Sequence, residues 1–213
     1  AFPLTIPTSH HCMTCRLKMA AAPLLHLTAV VLSLSVFLAA TTPIPEGRRI
    51  YVTEVCDVTL YKEVCVRSLD RFSVVNGKDN VNWAFNAVSV ANNAAKKVNV
   101  YLNLLDTTTT LRGIKRAAVS DCMETFGDAS DCLSTSKAII RNLSIDNFDM
   151  TMGDLKTWLS AALTDVDTCQ EGFAEAAITE DSYWLIILLQ KKVRRAYQKT
   201  SNALALVNQI QNS

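Results

Sequence analysis

Histidine and cysteine are the residues of this sequence whose types and spacing could carry out chemistry. The three histidines are His10, His11 and His26, and a Cys-x-x-Cys pair, Cys12 and Cys15, follows the first two. An imidazole can serve as the base of a nucleophilic system, and mixed cysteine and histidine ligands can hold zinc. All five residues lie near the N-terminus, so this chemistry depends on whether that segment stays on the protein.

Residues 19–42 are predicted to be a secretory signal peptide. Arg16 and Lys18 precede a long apolar run, which ends in small residues and is followed by Pro43 and Pro45. This order of basic, apolar and small residues is typical of a cleaved leader. The protein is therefore expected to be secreted.

A membrane anchor is the alternative interpretation of the leader, since residues 20–40 are long enough to cross a bilayer. The small residues before the prolines favour cleavage instead, so no membrane association is expected afterwards. The sequence begins with Ala1, and Met19 stands at the start of the leader. Residues 1–18 are accordingly predicted to be untranslated upstream sequence.

The sequence after the leader offers little for catalysis. It has no histidine, its glycines are isolated from one another, and its carboxylates are scattered along helix surfaces. It therefore lacks an imidazole base, a mixed cysteine and histidine zinc site and a glycine-rich phosphate loop. We predict that the protein is not an enzyme and uses no metal or cofactor.

The charge of the predicted mature chain is almost balanced. The sequence has 21 Lys and Arg, of which Arg16 and Lys18 belong to the leader region, so 19 remain against 20 Asp and Glu. Such a balance does not indicate a nucleic-acid partner. The segment from Asp106 to Asp181 is lopsided, however, with 14 acidic residues against 6 basic ones. An acidic face of this kind could attract a basic partner, or could merely keep the surface solvated.

Apolar periodicity predicts an all-α protein, because runs of alternating β-branched residues are absent. Residues 43–77 are predicted to form an N-terminal helical hairpin, and residues 78–213 an up-and-down four-helix bundle. The predicted long helices run from about 79 to 105, after the Thr-rich segment 106–110, after Asp154, and from near the segment TEDSYW, residues 179–184, onward. Asp106 and the threonines of segment 106–110 are predicted to cap the second of these helices. Trp158 and Trp184 are predicted to pack in the core.

Cys169 lies on the apolar stripe of the third long helix, so it could be a core residue, a reactive thiol or half of a disulfide. The turn before that helix is centred near Asp146, with Cys122 24 residues before it and Cys169 23 after it. In an antiparallel pair these two positions are level. Cys132 would be displaced by about 15 Å along the axis, too far for a disulfide. We therefore predict a Cys122–Cys169 bond and a free thiol at Cys132.

Cys56 and Cys65 are the remaining cysteines of the predicted mature chain. Two short helical segments folded back on each other would bring them together, and a pair of free buried thiols is not expected in a secreted chain. Asn142, in the sequence Asn-Leu-Ser, is a candidate N-glycosylation site near the turn between the second and third long helices.

Four features together resemble the plant invertase and pectin methylesterase inhibitors. They are the Cys56-x8-Cys65 hairpin, "AAVSDCMETFGDASDCL" at 117–133, "TWLSAALTDVDTCQEGF" at 157–173 and "TSNALALVNQI" at 200–210. The resemblance implies a four-helix bundle preceded by a helical hairpin, with the two disulfides paired as above. Cys132 departs from it, because the resemblance implies a variable residue there.

The resemblance also implies a proteinaceous inhibitor that binds a cell-wall enzyme one-to-one over its active-site cleft. The target would be pectin methylesterase, which removes methyl esters from homogalacturonan, or a cell-wall or vacuolar invertase. Invertase-directed members carry a Pro-Lys-Phe motif, whereas this sequence has no proline after Pro45. The segment 157–173 is also more similar to the esterase-directed members, so pectin methylesterase is the expected partner.

A carrier of small apolar ligands is a hypothesis of another class. It would need missing core volume, whereas the predicted inward positions hold Phe85, Phe126, Trp158 and Phe173. For an inhibitor, the predicted partner-binding residues are the acidic positions expected to be exposed beside the second and third long helices. These are Asp121, Glu124, Asp128 and Asp154.

Overall fold

The computed structural model describes residues 46–108, 111–176 and 183–210. The predicted untranslated segment and signal peptide, residues 1–42, lie outside the described residues. Among the described helices, none combines the length and the apolar character needed to span a membrane.

The described residues are almost entirely helical and contain no strand, which confirms the prediction of an all-α fold. Three short helices are followed by four long ones, and two single 3-10 turns, Asp70–Phe72 and Ile145–Asn147, join some of them. The helices are α1 Glu46–Cys56, α2 Lys62–Leu69, α3 Ser73–Asn76, α4 Asn80–Thr108, α5 Ile114–Arg141, α6 Phe148–Ala176 and α7 Tyr183–Ile210.

The four long helices form the predicted bundle. Helix α4 packs against α5 and α7, and α6 packs against the same two helices, so that consecutive helices are neighbours and α7 closes the bundle beside α4. Aromatic and aliphatic side chains fill the interior. The largest that are fully buried include Trp83, Leu102, Phe126, Leu133, Met152, Leu155, Leu159, Phe173, Leu189 and Leu206.

The start of α4 is defined by local hydrogen bonds. The Asp79 side chain accepts a hydrogen bond from the backbone N–H of Asn82 at 3.0 Å, which satisfies a donor left free at the helix start. Gly77 precedes it with φ of 52°, a conformation that favours glycine. The indole Nε1–H of buried Trp83 donates to the Gly77 carbonyl at 3.0 Å and fixes this corner.

Two expectations about helix ends are wrong. Helix α5 begins after Gly113, whose φ is 58°, and no side-chain hydrogen bond caps it. Thr107 instead belongs to α4, where its hydroxyl donates to the Asn103 carbonyl at 3.0 Å, while Thr109 and Thr110 lie outside the described residues. Helix α6 begins at Phe148, not after Asp154, because Met152 is fully buried and extends the apolar stripe by one turn.

The short helices and the bundle each contain one disulfide. Cys56 is joined to Cys65 with a Cα–Cα distance of 5.8 Å, which closes the hairpin of α1 and α2. Cys122 of α5 is joined to Cys169 of α6 with a Cα–Cα distance of 4.7 Å. These are the two pairs that the sequence predicts. Cys132 is a free, buried thiol.

Candidate partner-binding surface

The disulfide between α5 and α6 sets the register of the surface that carries the predicted acidic residues. Because Cys122 lies opposite Cys169 in an antiparallel pair, residues of the two helices are level where their numbers sum to 291. The bond therefore fixes which side chains of the two helices meet along the seam. We call the solvent-facing side of this seam the α5–α6 surface.

The four predicted acidic residues are all exposed in the structure. Asp121, Glu124 and Asp128 follow one another at helical spacing on α5, while Asp154 lies in the second turn of α6. No ion pair joins any of the four to a described lysine or arginine. Their charge is thus available to a partner, although whether they bind one stays a prediction.

Asp165 belongs to the same surface and was not singled out from the sequence. It is partly buried on α6, and both desolvation and the nearby Asp128 carboxylate raise its pKa above the ordinary value of 3.8. The proximity of Asp165 and Asp128 could have been predicted from the register of α5 and α6, because position 165 is level with position 126, close to Asp128. The carboxylates of Asp128 on α5 and Asp165 on α6 therefore concentrate negative charge at the seam between these neighbouring helices.

Cys132 lies behind this acidic group. Burial raises the pKa of its thiol, and the charges of Asp165, Asp128 and Asp131 raise it further. A thiolate is the reactive form of cysteine, so a thiol whose pKa is raised stays protonated and unreactive. The structure therefore gives Cys132 the chemistry of a small buried core residue.

The expectation that Trp158 packs in the core is wrong. Its side chain is 42% exposed, because the buried stripe runs through Leu155 and Leu159 and the preceding position is turned about 100° away from it. Phe126 and Phe173 are buried as expected, and Phe85 is partly buried. The Trp184 side chain lies outside the described residues.

Trp158 is part of an exposed stripe along α6. Met150, Asp154 and Trp158 follow at intervals of four residues, and Asp165 lies two turns beyond Trp158 on the same side. Met150 is 67% exposed. The α5–α6 surface thus combines exposed apolar side chains with unpaired carboxylates. An aromatic side chain surrounded by polar groups is typical of the centre of a protein–protein interface.

The other predicted site is the glycosylation sequon. Asn142 is exposed directly after the end of α5, and its Nδ2 donates a hydrogen bond to the Ala138 carbonyl at 2.9 Å. Its modification stays a prediction. Within the ranges that the structure describes, no cluster of histidine, cysteine, aspartate or glutamate could hold a metal ion.

Comparisons with known proteins place this geometry in a family. The family model described as "Plant invertase/pectin methylesterase inhibitor" matches residues 51–206. "Pectinesterase inhibitor 6" of Arabidopsis thaliana is 38% identical over 160 residues, covering 75% of each chain. "Pectinesterase inhibitor 3" of the same plant is 33% identical over 204 residues, covering 89% of this chain and 94% of the relative.

A solved structure shares the fold. It is a crystal structure of a mutant form of a pectin methylesterase inhibitor from Arabidopsis, with a TM-score of 0.58 and 16% identity, and the match covers 72% of this chain and 93% of that one. These similarities are to inhibitor proteins, so the chain is not an enzyme. It belongs to the plant invertase/pectin methylesterase inhibitor family.

Proposed function

We propose that the protein is a secreted inhibitor of pectin methylesterase, which it binds one-to-one over the active-site cleft in the plant cell wall. The observation that carries this proposal is the 38% identity to a relative named as a pectinesterase inhibitor, over 75% of each chain. The predicted signal peptide and the two disulfides are consistent with an oxidising extracellular compartment.

The α5–α6 surface is the proposed contact region. It presents Asp121, Glu124, Asp128 and Asp154 without an ion pair in the described part of the chain, and exposed Trp158 lies one turn beyond Asp154 on α6. Carboxylates in such numbers speed the encounter with a basic partner, whereas a half-exposed tryptophan supplies apolar area that is buried on binding. The disulfide beneath them holds both helices in one register, which reduces the entropy lost when a partner binds.

Inhibition of invertase is the alternative, because the family model that matches the chain includes invertase inhibitors in its description. The absence of any proline after Pro45 argues against it, since the Pro-Lys-Phe motif of invertase-directed members has no counterpart here.

Titration of purified protein, from residue 43 onward, against a plant pectin methylesterase and a cell-wall invertase tests the proposal. We expect the esterase activity to fall to zero at one equivalent of inhibitor, with invertase unaffected at the same concentrations. The mass of the complex, measured by light scattering, checks the one-to-one ratio. Inhibition of invertase together with an unaffected esterase would replace the proposed target by the alternative.

A further inference from the structure

A groove of about 640 Å³ lies on another side of the bundle, between α2, α4 and α7. Helices α4 and α7 are neighbours, as are α5 and α6, so the seam that carries the groove lies across the bundle from the α5–α6 surface. Its volume is in the range of ordinary ligand sites. We call it the basic groove because of the side chains that line it.

Among the described residues, five cations line the basic groove and no acidic residue does. They come from three separate parts of the chain: Arg67 and Arg71 from α2 and the following turn, Lys96 and Lys97 from α4, and Lys199 from α7. The fold therefore gathers positive charge here from residues up to 132 positions apart, from 67 to 199. A simple solvated face of one helix would not require this convergence.

The charges of the groove are poorly compensated. Arg67 pairs with Glu63 at 3.6 Å, but both side chains are highly exposed, and such surface pairs contribute little. The Arg71 guanidinium lies 4.6 Å from the centre of the Phe72 ring. None of the ion pairs between described residues includes Lys96, Lys97 or Lys199.

The pKa of Lys199 reflects the concentration of positive charge in the groove. Its side chain is partly buried, and desolvation lowers its pKa below the ordinary value of 10.5. The positive charges of Lys97, Arg195 and Arg71 lower the pKa further, and no carboxylate of the described residues acts in the opposite direction. A bound anion would relieve this repulsion, so the groove is electrostatically prepared for a negatively charged ligand.

The rest of the lining suits a sugar chain better than an isolated small anion. Ser68 and Asn93 can hydrogen-bond to hydroxyl groups, while Ala94 and Val100 offer apolar area to the face of a sugar ring. Five cations spread along the groove match carboxylates repeated along a polymer, whereas a single phosphate would reach only some of them.

We propose that the basic groove binds a short stretch of de-esterified homogalacturonan, the carboxylate-bearing polysaccharide that a pectin methylesterase produces. The choice of this polyanion rests on the proposed function, because hydrolysis of each methyl ester leaves one carboxylate on the polymer. The groove and the α5–α6 surface lie across the bundle from each other, so the protein can hold the product chain while it covers the enzyme.

Isothermal titration calorimetry with de-esterified oligogalacturonates, in the absence of any esterase, tests this inference. Fully methyl-esterified oligogalacturonates, a neutral oligosaccharide and anionic phospholipid vesicles are the comparison ligands. We expect the de-esterified oligomer to bind, with an affinity that falls as salt rises. The esterified oligomer should bind at least about tenfold more weakly, because its carboxyl groups are neutral methyl esters. Equal affinity for both oligomers, or tighter binding to the vesicles, would overturn the inference.

The Lys96→Gln/Lys97→Gln variant has a matched control in Lys191→Gln/Arg194→Gln, which removes two exposed cations of α7 that do not line the groove. We expect the first variant to bind the de-esterified oligomer about tenfold or more weakly and the second to bind like the parent. Equal losses in both variants would show nonspecific charge attraction and contradict the inference.

The same groove variant separates this inference from the proposed function. It should still inhibit pectin methylesterase like the parent, since the groove lies away from the α5–α6 surface. A loss of inhibition would assign the groove to the enzyme interface instead of the polysaccharide. A parent protein that binds the oligomer but inhibits no esterase would contradict the proposed function and leave the groove assignment in place.

Discussion

The side-chain amide of Asn202 hydrogen-bonds to both the backbone N–H and the backbone carbonyl of Tyr61. Its Nδ2 donates to the Tyr61 carbonyl at 3.0 Å, and its Oδ1 accepts from the Tyr61 N–H at 3.2 Å, across 141 positions of sequence. Tyr61 is the residue before α2, and Asn202 is a buried residue of α7. One amide thus attaches the start of α2 to the last helix of the bundle.

Replacing this amide should loosen the attachment. We expect Asn202→Ala to reduce the free energy of unfolding by about 2 kcal/mol, since two hydrogen bonds to partly buried backbone groups are lost. Urea unfolding followed by circular dichroism measures the change. Asn103→Ala is the control, because Asn103 is exposed and its side chain donates only within its own helix. Equal stability of the two variants would contradict the attachment.

The two disulfides should differ in their contributions to stability. Removal of Cys122–Cys169, which closes a separation of 47 residues, should cost about 4 kcal/mol, whereas removal of Cys56–Cys65, with a separation of 9, should cost about 3 kcal/mol. Denaturant unfolding of the two paired Cys→Ala variants measures both. Cys132→Ala removes a buried sulfur without breaking a bond and is the control. A larger loss of unfolding free energy on removal of Cys56–Cys65 than on removal of Cys122–Cys169 would contradict the loop-entropy argument.

The contact between α5 and α6 was predictable because it depends on register, which residue numbers around a turn define. The same counting that placed Cys122 opposite Cys169 could have placed Asp165 near Asp128. The exposure of Trp158 was not predictable from its chemistry, since a tryptophan in an amphipathic helix is usually buried and only its offset from the apolar stripe argued otherwise.

The basic groove and the attachment of Tyr61 by Asn202 were beyond the reach of the sequence. Both depend on how α2 packs against α4 and α7, and periodicity describes single helices instead of their long-range contacts. Among the residues predicted to cap α5, Thr107 donates its hydroxyl back into α4, and Gly113 stands directly before the helix instead.

The raised pKa of Asp165 predicts a pH dependence of stability. The folded state binds this proton more tightly than the unfolded state does, so the carboxyl destabilises the fold increasingly as pH rises from about 3.8 through the folded-state pKa. Asp165→Asn should therefore gain stability relative to the parent over that range and keep a constant gain above it. Melting temperatures of both proteins between mildly acidic and neutral pH measure the difference.

Asp128→Asn is an informative comparison for this titration. It removes the neighbouring charge but leaves Asp165 partly buried, and desolvation is the larger cause of the raised pKa. We expect its pH dependence to be weaker than that of the parent but still present. A parent whose stability relative to Asp165→Asn does not change with pH would show that Asp165 titrates alike in the folded and unfolded states.

Neutralising the acidic residues of the α5–α6 surface should slow association with the esterase. For the combined Asp121→Asn, Glu124→Gln and Asp128→Asn variant, with and without Asp154→Asn, we expect an association rate about tenfold lower at low salt. The difference from the parent should shrink as salt rises, because screening removes long-range attraction. Stopped-flow or surface plasmon resonance measurements over a salt series give these rates.

The control variant neutralises three exposed acidic residues that lie in α1, in α2 and in the loop between them. The Glu54→Gln, Asp57→Asn and Glu63→Gln combination changes the net charge by the same amount as the α5 triple variant, and the two exposed ion pairs that it breaks contribute little. It should bind the esterase like the parent. A similar loss in this control would assign the effect to net charge and not to the α5–α6 surface.

Trp158 should act on dissociation more than on association. Its side chain is 42% exposed in the free protein, so burial against the esterase would remove apolar area from water at the centre of the contact. We expect Trp158→Ala to weaken inhibition by about thirtyfold, equivalent to about 2 kcal/mol, mainly through faster dissociation. Leu60→Ala, at a position that is 77% exposed in the loop between α1 and α2, is the apolar control and should inhibit like the parent. Inhibition by Trp158→Ala at the parent's strength would remove Trp158 from the interface, while its unfolding midpoint shows whether the bundle itself is intact.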